Sequence, residues 1–219
     1  MKKAEIVSLV VVLLSFLIGA YFYPLMPEKV ASHWGIDGQA NGYMPKFWGL
    51  FLLPIISIAM LVLFMILPGI DPMKKNIEKF RGYFDNFVLI LILFMFYVYN
   101  LTILWNIGIT FDMAQLIMPA VGMLFFYSGV LMENSKRNWF IGVRTPWTIS
   151  DDRVWDKTNK LAGKLFKASG IITILGVLVP AYGFLLMMAS IMASALYVTA
   201  YSYFEYQRLN RGNMRRPFR

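Results

Sequence analysis

The stretch NWFIGVRTPWTISDDRVW, Asn138 to Trp155, decides how the rest of the chain is read, because nowhere else do Trp, Arg, Pro, Gly and paired acids crowd together. On both sides of it lie long apolar runs. Trp139, Trp147 and Trp155 flank Arg144 and Arg153, and such amphipathic rings sit well where hydrocarbon meets water and headgroups. Thr145 precedes Pro146 and is pushed towards extended backbone, while Gly142 permits shapes that other residues resist. Gly142 to Pro146 therefore reads as a shaped turn that projects Arg144 in a fixed direction. Ser150 is a good N-cap, with Asp151 and Asp152 in the first turn of the following helix, where they complement its positive dipole end. The stretch is a connection at a membrane interface, and the helix after it runs into the membrane.

The composition agrees. At 58% hydrophobic, 15% charged and a mean hydropathy of +0.59, the 219 residues carry more apolar side chain than one soluble core would use. The apolar residues gather into runs near the ~20 that a helix needs to cross ~30 Å of hydrocarbon. Within hydrocarbon the backbone must satisfy its own polar groups, so the expected fold is all-α: an integral membrane helical bundle. The net charge of +9 does not point to direct nucleic-acid binding, since the basic residues are scattered between apolar segments; anionic lipid headgroups are the simpler partner. With no cysteine there is no disulfide, thiolate nucleophile or Cys-based metal site.

Six helices are expected. The first covers Ile6 to Tyr23 after Lys2 and Lys3, too long an apolar run for a cleavable signal, which has ~7–15 residues. Pro24 to Lys46 is polar and glycine-punctuated, an ordered loop or short hairpin. The second helix spans Phe47 to Leu67, with Pro54 as a kink, and stops at Pro68-Gly69 before the charged run Asp71 to Arg81. The third runs from Asn86 to Ile107, and its Asn100, Thr102 and Asn106 should face neighbouring helices, because an unpaired amide in hydrocarbon is costly. Met113 to Met132 forms the fourth and Leu161 to Val179 the fifth, with Lys164 and Lys167 snorkelling. A tight hairpin at Pro180 to Gly183 leads to the sixth, Phe184 to Phe204, and a basic tail. Residues 1–70, 71–135 and 136–219 are three successive sections of one structural domain. No internal repeat is evident.

Topology follows from the cations. With six helices, nineteen of the twenty-one Lys and Arg residues fall on one side, and only Lys29 and Lys46 on the other. The positive-inside bias then puts both termini and the Arg144 segment in the cytoplasm, and the loop with His33 and Trp34 outside.

Several residues invite a functional reading. His33, the only histidine, has Asp37 four residues on and Glu28 five before it; one imidazole with carboxylates is a weak metal pattern, and local hydrogen bonding with Trp34 as a membrane-surface anchor is the alternative. No metal and no cofactor is expected. Trp34 and Tyr43 are also the kind of apolar anchors that dominate binding surfaces for an external peptide or protein. Arg144 and Thr145 offer donors for a phosphate or carboxylate; equally, Arg144 pairs with Asp151 or Asp152 to hold the loop. No Gly-rich phosphate loop, His-Glu zinc helix or Gly-x-Ser-x-Gly elbow is present, and no acid or histidine is well centred in a helix, so a non-enzymatic role is expected.

The segment Asn138 to Trp155, with its Ile141-Gly142-Val143-Arg144-Thr145-Pro146-Trp147-Thr148 core, resembles the signature of the SdpI-type immunity-protein family. The phrase His33-Trp34-Gly35-Ile36-Asp37-Gly38, closed by Lys46, resembles a small domain of unknown function often found in the N-terminal half of such proteins. The resemblance implies a membrane protein that protects its cell from a secreted toxic peptide, and that also draws a cognate transcriptional repressor to the membrane. It marks Arg144, Thr145, Pro146 and Trp147, with nearby Arg153 and Trp155, as a candidate cytoplasmic site for a partner or ligand. His33, Trp34, Asp37 and Lys46 are the candidates facing a toxin outside. An alternative from the residues themselves is a phospholipid- or lipid-phosphate-binding enzyme or transporter, in which Arg144, Arg153 and Thr145 grip a headgroup.

Overall fold

A computed structural model describes residues 2–35 and 38–210. Asp37 and the tail arginines beyond Asn210 lie outside them. The elements in order are α1 (Lys3–Phe22), a hairpin of β1 (Lys29–Trp34) and β2 (Ala40–Pro45), α2 (Lys46–Ile70), the short α3 (Lys74–Glu78), α4 (Arg81–Asn106), α5 (Met113–Asn134), the short α6 (Pro146–Ser150), α7 (Asp152–Leu175) and α8 (Pro180–Asn210). Among the described residues six helices, α1, α2, α4, α5, α7 and α8, are long and apolar enough to cross a membrane. The protein is a multi-pass membrane helical bundle.

Which side chains face inward is the reverse of a soluble protein. In α1 the buried residues are Ser8, Val12, Ser15 and Gly19, at spacings that trace one helical face, while Leu13, Leu14 and Leu17 are exposed. Small residues let helix backbones approach closely, and large apolar ones are left for lipid. The same rule fixes the tightest contact of the bundle, between α5 and α7. Gly122 and Gly129 of α5 oppose Gly170 and Gly163 of α7, each pair seven residues apart along its own helix. A Cβ on Gly129 would lie 2.5 Å from the Gly163 carbonyl oxygen, and one on Gly170 would lie 2.5 Å from that of Gly122. Beside this contact Lys167 pairs with Glu133 of α5 at 2.5 Å, so it bridges helices and does not snorkel. Between α7 and α8, the Ser169 and Ser194 hydroxyls meet at 3.0 Å, with Ser194 donating to the Ser190 carbonyl at 2.7 Å.

Helix α4 joins α1 and α2, and its other side packs on α5, so it couples an N-terminal set of helices to α5, α7 and α8. It starts at Arg81, earlier than the apolar run suggests, because its polar first turn has partners: Arg81 Nε donates to Asp85 at 2.6 Å and the guanidinium also reaches Glu5 of α1 at 3.2 Å. It ends on Gly108 at φ +99°, where the amides of Gly108 and Ile109 donate back to Trp105 and Leu104. Left-handed backbone with this bonding is the Schellman stop, which glycine adopts without strain.

Other boundaries also move. α2 continues through Pro68 and Gly69 to Ile70, since a proline in the last turn removes one donated bond without having to end the helix. α7 begins at Asp152, well before Leu161, because its first turns are amphipathic: Val154, Trp155, Thr158 and Asn159 are buried. The turn before α8 lies at Gly176 to Val179, and Pro180 opens the helix, where its missing N–H costs nothing.

Candidate functional site

The signature segment folds as a clipped loop at one end of the bundle. Asn138, wholly buried, is its hub: its Oδ1 accepts from the amides of Phe140 (2.9 Å) and Ile141 (2.7 Å), and its Nδ2 donates to the carbonyls of Lys136 (2.8 Å) and Ile141 (2.9 Å). Gly142 stands at φ +104°, and a Cβ there would meet Asn159 Oδ1 at 2.6 Å. That oxygen accepts from the Val143 amide at 2.8 Å. The expected turn is therefore present, and glycine is required by both the backbone and the space. Thr145 caps α6, and its hydroxyl reaches Ser202 of α8 at 3.0 Å. Thr148, also wholly buried, accepts from the Thr145 amide (2.9 Å) and donates to the Val143 carbonyl (2.8 Å). From the other lobe, buried Asp71 accepts from the Trp139 amide at 2.9 Å, and Asn76 donates to the Arg137 carbonyl at 2.8 Å.

Several expectations change here. Trp155 is not an interfacial anchor: it is wholly buried, and its indole N–H donates to the Ser135 carbonyl at 3.2 Å. Ser150 ends α6; the N-cap of α7 is Asp151, which accepts from the Arg153 amide at 2.8 Å. Arg144 pairs with neither Asp151 nor Asp152. Its Nη1 donates to the Trp139 carbonyl at 2.6 Å, leaving the rest of the exposed guanidinium to solvent. Asp151 pairs with Arg153 at 2.7 Å, and this hydrogen-bonded cation draws its carboxyl down to about 2 from its ordinary 3.8. Asp152 faces Arg137. Trp147 packs edge-on against Tyr203 of α8, with centroids 5.1 Å apart. Arg144, Arg153 and Thr145 thus each have separate partners. On the outer surface of the loop stand Trp139, Phe140, Arg144 and Pro146, all exposed.

The hairpin occupies the opposite end. It pairs antiparallel from Lys29 opposite Pro45 to Trp34 opposite Ala40, with irregularities around His33. The Asn106 side chain reaches it like a further strand: Oδ1 accepts from the Ala31 amide at 2.7 Å, and Nδ2 donates to the Ala31 carbonyl at 3.0 Å. Asn106 therefore serves the hairpin and not a neighbouring helix, while Asn100 and Thr102 bond to carbonyls of their own α4. His33 Nδ1 bonds to the Asn41 side chain, and Lys46 pairs with Glu28 at 2.8 Å. Among the described residues no three of His, Asp and Glu gather as a metal site. Trp34 lies against Trp105 of α4, centroids 5.9 Å apart, so it is tied to the bundle end.

Two distant segments are thus folded at opposite ends of one bundle, and both match known families. Residues 134–202 match the SdpI/YfhL protein family, and residues 10–58 match a domain of unknown function, DUF1648. The chain is also 29% identical to the immunity protein SdpI of Bacillus subtilis (strain 168) over 95% of its own length and 98% of the relative's. The chain is thus similar to SdpI-type proteins along nearly its whole length. No solved structure matches it.

The residues that shape the signature loop are mostly ones that motif reading passed over. Asn138, Thr148 and Asn159 supply the buried acceptors, and Asp71 supplies one from far away in sequence. Asn138 and Thr148 stand inside the signature, and their polarity beside Gly and Pro was the available signal. Asp71 gave none. The ionic group of Lys2, Glu5, Arg81 and Asp85, with Asp85 only 8% exposed, was also not foreseen.

Proposed function

We propose that the protein confers immunity on the cell that makes it, protecting the cell from a secreted toxic peptide that acts on its envelope. The observation that carries this reading is the collinear similarity to an immunity protein across nearly the whole of both chains, through the N-terminal hairpin as well as the signature loop. The protein acts by binding and not by catalysis.

In this reading both termini and the signature loop face the cytoplasm. The Lys/Arg bias supports that orientation, because the one end of the bundle that carries Lys2, Arg81, Arg137 and Arg144 holds most of the positive charge. The hairpin then faces outward, where His33, Trp34 and Lys46 belong to the toxin-facing surface along with exposed Tyr43. Inside, Trp139, Phe140, Arg144 and Pro146 form the exposed patch through which a cytoplasmic repressor is drawn to the membrane. Trp147, Thr145, Arg153 and Trp155 hold that patch in shape.

The test is protection. Expressed in a strain sensitive to the toxic peptide against which the Bacillus relative gives immunity, or to one encoded beside this gene, the protein should restore growth. Sensitivity unchanged at matched membrane levels of the protein would remove the reading.

A further inference from the structure

Beneath the hairpin lies a cavity of about 660 Å³, within the ~300–1,000 Å³ typical of small-molecule sites. Its walls come from both halves of the chain: Trp48 and Leu52 of α2, Met113 and Val121 of α5, and Phe184 and Met187 of α8. Polar groups are few and gathered mostly at the hairpin, where Ser32, His33 and Trp34 line the mouth. From Met113 to Val121 the wall descends eight residues of α5, about 12 Å at the helical rise of ~1.5 Å per residue. The cavity therefore grades from polar at the end of the bundle to apolar within it.

Two further observations bear on its occupant. The Trp34 indole N–H is shielded from solvent and has no acceptor among the described residues, a state that buried donors seldom keep. The cavity is also open on one side: α2 packs on α4 and α4 on α5, but α2 and α8, which both line it, are not packed on each other. In a membrane protein that gap gives on to lipid.

We infer that this cavity holds one hydrocarbon chain of a membrane amphiphile, which enters between α2 and α8 and leaves its polar head among Ser32, His33 and Trp34. The head supplies an acceptor to the indole N–H. The methionines suit a flexible chain, since their unbranched side chains adapt to irregular shapes. The inference does not rest on the immunity reading, since it concerns a resident lipid and not the toxin, although His33 and Trp34 figure in both.

The experiment is native mass spectrometry of the full chain released from detergent with added palmitoyl-lysophosphatidylglycerol. Palmitate and palmitoyl-lysophosphatidylcholine serve as parallel arms that separate chain from head. Wild type should retain one lysolipid per chain under activation that strips detergent. Ala114→Trp and Val121→Trp, which fill the cavity, should lower retention roughly tenfold or more, since losing the burial of about two methylenes already costs that much. Leu93→Trp, which fills a separate groove among α4, α5 and α7, should leave it unchanged.

Where a filling variant fails to fold, a conservative pair takes its place. At one brominated lysolipid per chain, indole fluorescence should be quenched in wild type and much less in Trp34→Phe/Trp48→Phe. Equal retention in all variants, equal quenching in the Phe pair, or a bound mass equal to a second copy of the chain would each overturn the assignment.

Discussion

Gly142→Ala separates a shaped signature loop from a merely permissive one, and Gly108→Ala provides the comparison. Both glycines hold positive φ, +104° and +99°, so both alanines incur backbone strain of about 1–3 kcal/mol. They differ in surroundings. Nothing lies within 4 Å of a Cβ on Gly108, whereas one on Gly142 meets Asn159 Oδ1 at 2.6 Å and Trp155 Cζ2 at 3.2 Å. Asn159 cannot retreat freely, because the same oxygen accepts the Val143 amide and the side chain is 1% exposed. Displacing it leaves a buried amide unpaired, at about 1–3 kcal/mol. Gly142→Ala should therefore cost about 2–6 kcal/mol, and Gly108→Ala only the strain. The assay is thermal unfolding of each variant in the same detergent, read by tryptophan fluorescence, together with tryptic cleavage after Arg144. Gly142→Ala should melt well below Gly108→Ala and be cut at Arg144 much faster than wild type. Equal melting of the two, with Arg144 equally protected, would refute the claim that Asn159 and Trp155 mould this turn.

Other outcomes follow from the same geometry. Asp71→Ala leaves the amides of Met73 and Trp139 without their acceptor and should destabilise by about 2–5 kcal/mol; faster hydrogen exchange at Trp139 would show that the loop has come loose. Gly163→Val should force α5 and α7 apart at a cost of at least about 1–3 kcal/mol, while Gly82→Ala, with open space around it, should melt no lower than wild type. Asn106→Ala should free the hairpin and speed proteolysis within residues 35–42, leaving the signature loop unaffected. The Asp151 carboxyl titrates lower folded than unfolded, so its contribution is complete above about pH 4 and lost as pH falls towards about 2. Asp151→Asn should flatten that part of the stability profile, modestly because Arg153 is exposed.

The spans were legible because length and apolarity are properties of the chain itself. The same is true of the turn at Gly142 and of an ordered hairpin between α1 and α2. What could not be read depends on partners remote in sequence. Ser150 and Asp151 are both competent caps, and Asp151 caps because α6 uses Ser150 as its last residue. Trp155 resembles an interfacial tryptophan until α7 is known to begin at Asp152, which turns its face towards Ser135 and Gly142. Asn106 is polar inside an apolar run, and only the hairpin's position shows that its amide completes a strand edge. The glycines of α5 and α7 were visible at spacings of seven, but nothing along the chain announced that these two helices face each other.

That the hairpin and the signature loop lie in different aqueous compartments is tested most directly by labelling, which the absence of native cysteine makes clean. Tyr43→Cys on the hairpin and Ser150→Cys on the loop place single thiols at exposed positions. In intact cells a membrane-impermeant maleimide should modify the first and reach the second only after permeabilisation. Modification of both before permeabilisation, or of Ser150→Cys alone, would contradict the arrangement.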